Sequence, residues 1–362
     1  LTLFHLMDRS IMPYYLRYTL LAVLSSFMIV FTSQASSAAA TFVGTGGDQT
    51  QQVTDLLSKD GSYYFTGVVR TRNLNISNRT LTINFAPGAV WQPVGYTDTL
   101  FSCYNCKLTL VHLNIDGRGM IQQALHMTGG TLNFNSITLD HLGYLSQMAT
   151  DLVAGLVLNG VTSIRGDNFH VAHMNALGNG SFSDTIGAAR GIMLLNSGYY
   201  QLGNVIIDWT NSDAEEADSF QVNTGNVGGN VNNLKVFYNG NTRRCAKYQS
   251  GNNTLTNVVV TKAADFVPAN TQTDAGKKNF NCISWESNTP GSLDILSGYV
   301  DASGFVRGIG SNTTTSTAIV RVHSGVTLIG ATKRVIRTDP QTGQPQNADT
   351  YGYYTGIQEN GS

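Results

Sequence analysis

The feature that most constrains this chain is a pair of short strand-like segments that recurs in the same order along it. The first member ends on a small or polar step: Leu125-His-Met-Thr-Gly-Gly130, Leu156-Val-Leu-Asn-Gly160, Met193-Leu-Leu-Asn-Ser-Gly198, Phe220-Gln-Val-Asn-Thr-Gly225 and Ala246-Lys-Tyr-Gln-Ser-Gly251. The second opens on Asn and then alternates: Asn168-Phe-His-Val, Asn204-Val-Ile-Ile, Asn233-Leu-Lys-Val and Asn257-Val-Val-Val, with Ser136-Ile-Thr-Leu carrying Ser in the Asn slot. Apolar residues at every second position mark strands with one buried face. Recurrence at a period that fluctuates between roughly twenty and forty residues marks stacked repeats. A lone strand leaves both edges unpaired, so each copy needs one below and one above it, and equivalent side chains then stack in columns. An Asn column at a turn can bond its own backbone and the Asn of the next coil.

The fold expected is therefore all-β, a right-handed single-stranded parallel β-helix over residues 41–337. Its predicted inward columns are Leu125/Leu156/Met193/Phe220/Ala246, Met127/Leu158/Leu195/Val222/Tyr248 and Ile137/Phe169/Val205/Leu234/Val258. The amphipathic stretch Asp48–Leu57 reads as a short helix capping the N-terminal end. Residues 338–362 read as a polar tail or cap.

Composition narrows the function classes. Lys plus Arg is 22 against 23 Asp plus Glu, a net charge of −1, which lacks the basic excess that phosphate contacts need. Charged residues are only 12% and hydrophobic ones 41%, enough for a core and unlike a disordered chain. At the N-terminus, Arg17, an apolar run from Thr19 to Phe31 and small residues ending Ala38-x-Ala40 have the order of a secretory signal, with cleavage expected near Ala40. The apolar run is shorter than the roughly 20 residues of a membrane span. A secreted or periplasmic protein, free of the membrane after cleavage, is the expectation. Export permits disulfides: Cys103-Tyr-Asn-Cys106 suggests a small local one, while Cys245 and Cys282 precede matching strands and stack either as a coil-to-coil disulfide or as an inert pair.

Two consecutive coils concentrate charge in a chain poor in it. Asp208, Asp213, Glu215, Glu216 and Asp218 fall in one loop and strand, and Arg243, Arg244 and Lys247 follow about one coil later. That spacing sets the two arginines beside Asp218, and Lys247 in an outward column between Gln221 and Ser284. In an elimination, a basic side chain such as Arg243, Arg244 or Lys247 takes a proton from the carbon beside a substrate carboxylate, while carboxylates such as Asp213 and Glu216 hold Ca²⁺, the candidate cofactor. In a hydrolysis, two carboxylates about 5–9.5 Å apart act as acid and as base or nucleophile. The alternative is charge neutralisation between loops, where exposed pairs contribute about 0–1 kcal/mol. A second column reads His141, His173, Trp209, Tyr238 and Lys262, with Asp140 and Asp208 just before it. It offers aromatic and imidazole groups for sugar stacking and proton transfer; the alternative is a packing column under the loops 142–155 and 174–191. No third ligand for a histidine metal site is apparent.

Gly61-Ser-Tyr-Tyr-Phe-Thr-Gly, Leu74-Asn-Ile, Leu81-Thr-Ile-Asn-Phe and Pro87-Gly-Ala-Val-Trp91 resemble the opening of the pectate-lyase-like β-helix superfamily. That resemblance, over roughly residues 45–335, implies binding and usually cleavage of an anionic or complex polysaccharide in a groove on the helix. Asn211-Ser-Asp with Asp218-Ser-Phe-Gln-Val is similar to the Asn-Thr-Asp-Gly strand of polygalacturonases, which implies a catalytic carboxylate at Asp218. Arg243-Arg244 stands where that family has an Asp-Asp pair, and its Gly-His-Gly motif is absent. The expectation is a polysaccharide lyase or glycoside hydrolase acting on an acidic polysaccharide, as a monomer or homotrimer. Asp218, Arg244, Lys247, Glu215 and Asp208 are its candidate catalytic groups, and Arg243, His173, His141, Trp209, Tyr238 and Gln221 its substrate contacts. The alternatives are a uronate epimerase and a non-catalytic glycan-binding or structural surface solenoid.

Overall fold

In the computed structural model the described residues are 39–145, 148–177, 187–214, 216–268, 281–287, 289–305, 307–311, 318–330, 336–338 and 345–347. The chain divides into Leu1–Ala39 and Ala40–Ser362. The predicted signal segment, apart from its last two residues, lies outside the described residues, as does most of 338–362. No helix among the described residues is long and apolar enough to cross a membrane.

The second unit is a parallel β-helix. Sheet A has thirteen strands and begins at Ala40–Asp48; sheet B has nine and runs from Leu74–Ser77 to Arg307–Ser311. Through the middle of the solenoid successive coils add one strand to each sheet, while at either end a coil's sheet A strand is split in two. Thr131–Asp140, Ser163–Val171, Tyr199–Asp208 and Gly228–Tyr238 pair in parallel register in sheet A. Ile121–Thr128, Val153–Asn159, Ala188–Leu195, Glu216–Val222 and Thr242–Tyr248 do so in sheet B. The apolar faces meet in one continuous core. At the N-terminal end it carries a pile of aromatic rings, with Phe65 on Phe85 at 5.3 Å and Phe85 on Trp91 at 6.1 Å. The helix α1, Thr50–Leu57, buries Val53 and Leu57 against that end, as its amphipathic pattern predicts.

The Asn column forms the expected ladder. Asn204 Nδ2 donates to Asn168 Oδ1 at 3.0 Å, Asn233 to Asn204 at 2.8 Å and Asn257 to Asn233 at 3.2 Å. Ser297 Oγ continues it by donating to Asn257 at 3.0 Å. Each rung makes an amide–amide bond worth about 1 kcal/mol net.

One inward register differs from the expectation. Leu156 pairs with Ile192 and Leu158 with Leu194, so Met193 and Leu195 leave the core columns. The cause lies in the turn. Asn78, Asn105, Gly129, Gly160 and Asn196 occupy one left-handed turn column, with φ between 46° and 69°. Asn tolerates that conformation nearly as Gly does, so Asn196, not Ser197, is the equivalent of Gly160. A one-residue slip moves every side chain to the other face. Met193 and Leu195 instead pack outside the core against a small apolar cluster of Leu152, Ala154, Val157 and Ala188.

Cys103 and Cys106 form the local disulfide. Cys245 and Cys282 are free, buried and stacked, with sulfurs 3.2 Å apart. Burial pushes the Cys245 thiol pKa well up, reinforced by the neighbouring Cys282.

Candidate functional site

Sheet B breaks its inside–outside alternation at one column, and that break builds the site. Gly191 stands beside the inward Ile192, and a Cβ on it would meet the core side chain of Ile207 at 2.6 Å and the Ser219 carbonyl at 2.7 Å. Only small side chains stack there: Gly155, Gly191, Ser219, Cys245 and Cys282. The residues one step earlier turn away from the core, which sets Arg190, Asp218 and Arg244 side by side on adjacent coils.

These groups form a continuous buried ion network. Arg244 Nη1 donates to both oxygens of Asp218 at 3.0 and 3.2 Å, and its Nε donates to Glu286. Arg190 Nη2 lies 3.3 Å from Glu216 and 3.5 Å from Asp218, and its Nε donates to Gln221 at 2.6 Å. Arg243 pairs with Glu216, and Lys247 Nζ reaches Glu286 at 4.0 Å. Asp218 is 0% exposed, Arg244 1% and Arg190 2%, while Arg243 and Lys247 at the rim retain 8% each. Among the described residues the network holds four cations against three carboxylates.

The environments push proton affinities apart. Burial alone would raise the Asp218 pKa, but Arg190, Arg244, Lys247 and Arg243 together hold it well below the usual carboxylate range. Glu216 goes the other way: burial raises it and the Asp218 charge adds to that, beyond what Arg190 and Arg243 offset. Burial also lowers the Lys247 pKa, and Arg244 and Arg190 add to it against the opposing pull of Asp218 and Glu286. Two groups thus lean toward their neutral forms, an acid at Glu216 and an amine at Lys247, beside a permanently ionised carboxylate. One oxygen of Glu216, Oε2, is buried without a hydrogen-bond partner.

The other anticipated residues are distributed differently. Glu215 lies outside the described residues. Asp208 ends a sheet A strand, and its Oδ1 accepts from the Thr210 amide at 2.8 Å, a local turn contact. Asp213 is exposed, its amide donating to Asn175 at 2.8 Å, while Glu216 sits between two arginines; the anticipated pairing of these carboxylates around Ca²⁺ is not assembled. Gln221 is 3% exposed and is taken up by Arg190. Trp209 and Tyr238 are each 1% exposed, which corrects their assignment as sugar platforms. The Trp209 indole donates to Ser219 at 2.8 Å, and Tyr238 packs on Phe266 and Phe305. His141 and His173 stack on the outer edge of sheet A, with ring centroids 5.0 Å apart. Asp140 and Asp116 face them there.

Arg190 and Glu286 were not anticipated. The signal for Arg190 was available: a single arginine inside the otherwise apolar strand Ala188–Leu195 of a charge-poor chain. Glu286 follows Ile283-Ser-Trp285 in the slot of Gln249, a correspondence that the matching strands after Cys245 and Cys282 already carry; its contact with Arg244 is what the spacing leaves unseen.

The outward column of sheet B runs through the network and beyond it, reading Asn75, Ser102, His126, Val157, Met193, Gln221, Lys247 and Ser284 from coil to coil. Its N-terminal end is a groove of about 280 Å³ lined by Asn75, Ser77, Ser102, His126, Thr128 and the half-exposed Tyr104. Protein-family profiles, curated proteins and solved structures contain no match to this chain.

Proposed function

We propose that this chain is an exported enzyme that binds an acidic, uronate-containing polysaccharide along the outer face of sheet B and cleaves it by β-elimination. The observation that carries this reading is the cation-rich network at one end of that face, with Lys247 and Glu216 both shifted toward their neutral forms. An excess of cations around a site of low polarity favours an incoming carboxylate, which Arg243 at the rim would receive. In the proposed step, the neutral Lys247 amine takes the C5 proton of the uronate. The released electron pair forms the C4–C5 double bond, the C4–oxygen bond breaks, and the leaving oxygen takes the proton of Glu216. Asp218 stays ionised and orients Arg244 and Arg190. The sheet B column supports an extended ligand, because its rungs repeat at about 4.8 Å, close to the length of a sugar unit. Tyr104 supplies the exposed ring that Trp209 and Tyr238 do not.

Full burial of Asp218 and Arg244 favours a second reading, in which the network only braces the solenoid and the chain binds glycan without cutting it. Lys247→Met separates the two. The first reading predicts loss of turnover on a uronate polymer with binding retained within about tenfold, because the base contributes about 10²–10⁴ in rate. A wild type without turnover, or a Lys247→Met variant with unchanged turnover, defeats it.

A further inference from the structure

The outer edge of sheet A carries a second cluster that the ion network does not touch. The strands Lys107–Asp116 and Thr131–Asp140 end in register on Asp116 and Asp140. His141 follows directly, and His173 occupies the same position one coil on; both backbones are left-handed, with φ of 51° and 49°. The two imidazoles therefore stack nearly parallel, 13° apart, and both turn Nδ1 toward the same carboxylate. His173 Nδ1 is 2.5 Å from Asp140 Oδ1, and His141 Nδ1 is 3.4 Å from Asp140 Oδ2 and 3.2 Å from Asp116 Oδ1. Candidate ligand atoms of Asp140, His141 and His173 all lie within 4.8 Å of one another.

We infer that His141, His173 and Asp140 form a binding site for a divalent transition-metal ion of the zinc type, with Asp116 beside His141 at its edge. A tetrahedral ion with ligand bonds of about 2.0–2.2 Å sets neighbouring donors about 3.3–3.6 Å apart, close to the His141 separations. Two imidazole nitrogens and carboxylate oxygens suit Zn²⁺, Co²⁺ or Ni²⁺ and not Ca²⁺, which takes oxygen ligands. Supporting contacts hold the donors in place. Gln92 Nε2 donates to Asp116 Oδ2 at 3.0 Å, and the His141 amide donates to Asp140 Oδ1 at 2.9 Å. Outer contacts of this kind orient metal ligands elsewhere. The side chains of both histidines and both aspartates are between 33% and 47% exposed, so an ion reaches them from solvent, and its binding opens the 2.5 Å contact between His173 and Asp140. The ion ties two successive coils together, which gives its binding a readout in stability independent of catalysis.

The test is calorimetric titration of the tag-free, chelator-treated protein with Zn²⁺, with Ca²⁺ as the comparison ion, alongside thermal unfolding with and without Zn²⁺. The expected result is one Zn²⁺ per chain, a melting temperature raised by Zn²⁺ and not by Ca²⁺, and at least a tenfold loss of Zn²⁺ affinity in both Asp140→Asn and His173→Ala. The two substitutions remove different donors, so a folding defect in one leaves the other as the test. Absence of saturable Zn²⁺ binding, or binding that both variants retain unchanged, overturns the inference.

Discussion

Replacing Asp218 by Asn removes the negative charge that two buried arginines share while preserving the shape of the side chain. Arg244 would lose its carboxylate at 3.0 and 3.2 Å, and Arg190 its neighbour at 3.5 Å, in a place with no solvent to compensate. Breaking a buried ion pair by removing one partner costs about 3–5 kcal/mol, against about 0–1 kcal/mol for an exposed pair. Arg244 keeps Glu286 and Arg190 keeps Glu216, so the low end, about 3 kcal/mol, applies. With a urea slope of about 3 kcal/mol per molar for a chain of this size, the unfolding midpoint falls by about 1 M. The assay is urea unfolding followed by circular dichroism, with Asp213→Asn as the exposed control at under about 0.5 kcal/mol. Adding Arg244→Met to Asp218→Asn removes the stranded charge and recovers part of the loss. An Asp218→Asn midpoint equal to that of Asp213→Asn would refute the claim that the network is buried and tightly coupled.

The network also predicts a pH signature. The Glu216 pKa is raised above its ordinary 4.5, so its contribution to stability is present below that value and fades as pH rises through the folded-state pKa. The wild-type urea midpoint should therefore fall relative to that of Glu216→Gln as pH rises from the ordinary glutamate value, and parallel profiles would contradict the shift. Asp218 works in the opposite direction: its depressed pKa gives stability that is present above the ordinary aspartate range and lost only in strong acid. Asn204→Ala deletes one donor and one acceptor from the ladder and should cost about 1–2 kcal/mol by the same urea assay; no loss would show that the ladder carries no energy. Thiol titration of non-reduced protein should find no reactive cysteine in the native state and two in denaturant, Cys245 and Cys282, whereas none in denaturant would mean that the stacked pair has oxidised.

The solenoid was legible because its determinants are local and repeated. Alternation gave the strands, and the Asn slot gave the coil phase, since every coil must meet its neighbour at that turn. The phase failed at Met193, where Asn196 takes the left-handed turn position that Gly holds at Gly129 and Gly160; a rule based on Gly spacing misreads that step. The contact between Arg244 and Asp218 followed from coil length alone, and so did the place of Lys247 between Gln221 and Ser284. What sequence spacing does not carry is depth. Trp209 and Tyr238 share the edge column of His141 and His173, yet the first pair is buried in the core and the second half-exposed, because both histidines have left-handed backbones that Trp209 and Tyr238 lack.

The central claim, elimination on an acidic polysaccharide, is tested most directly by following ultraviolet absorbance and new reducing ends together. The protein is incubated from Thr41 onward with a panel of uronate-containing polysaccharides. The account predicts that both signals rise in parallel on at least one polymer, and that both vanish in Lys247→Met. Reducing ends without absorbance would mean hydrolysis by the carboxylates, and neither signal on a polymer that the protein binds would mean a non-catalytic solenoid; either result contradicts it.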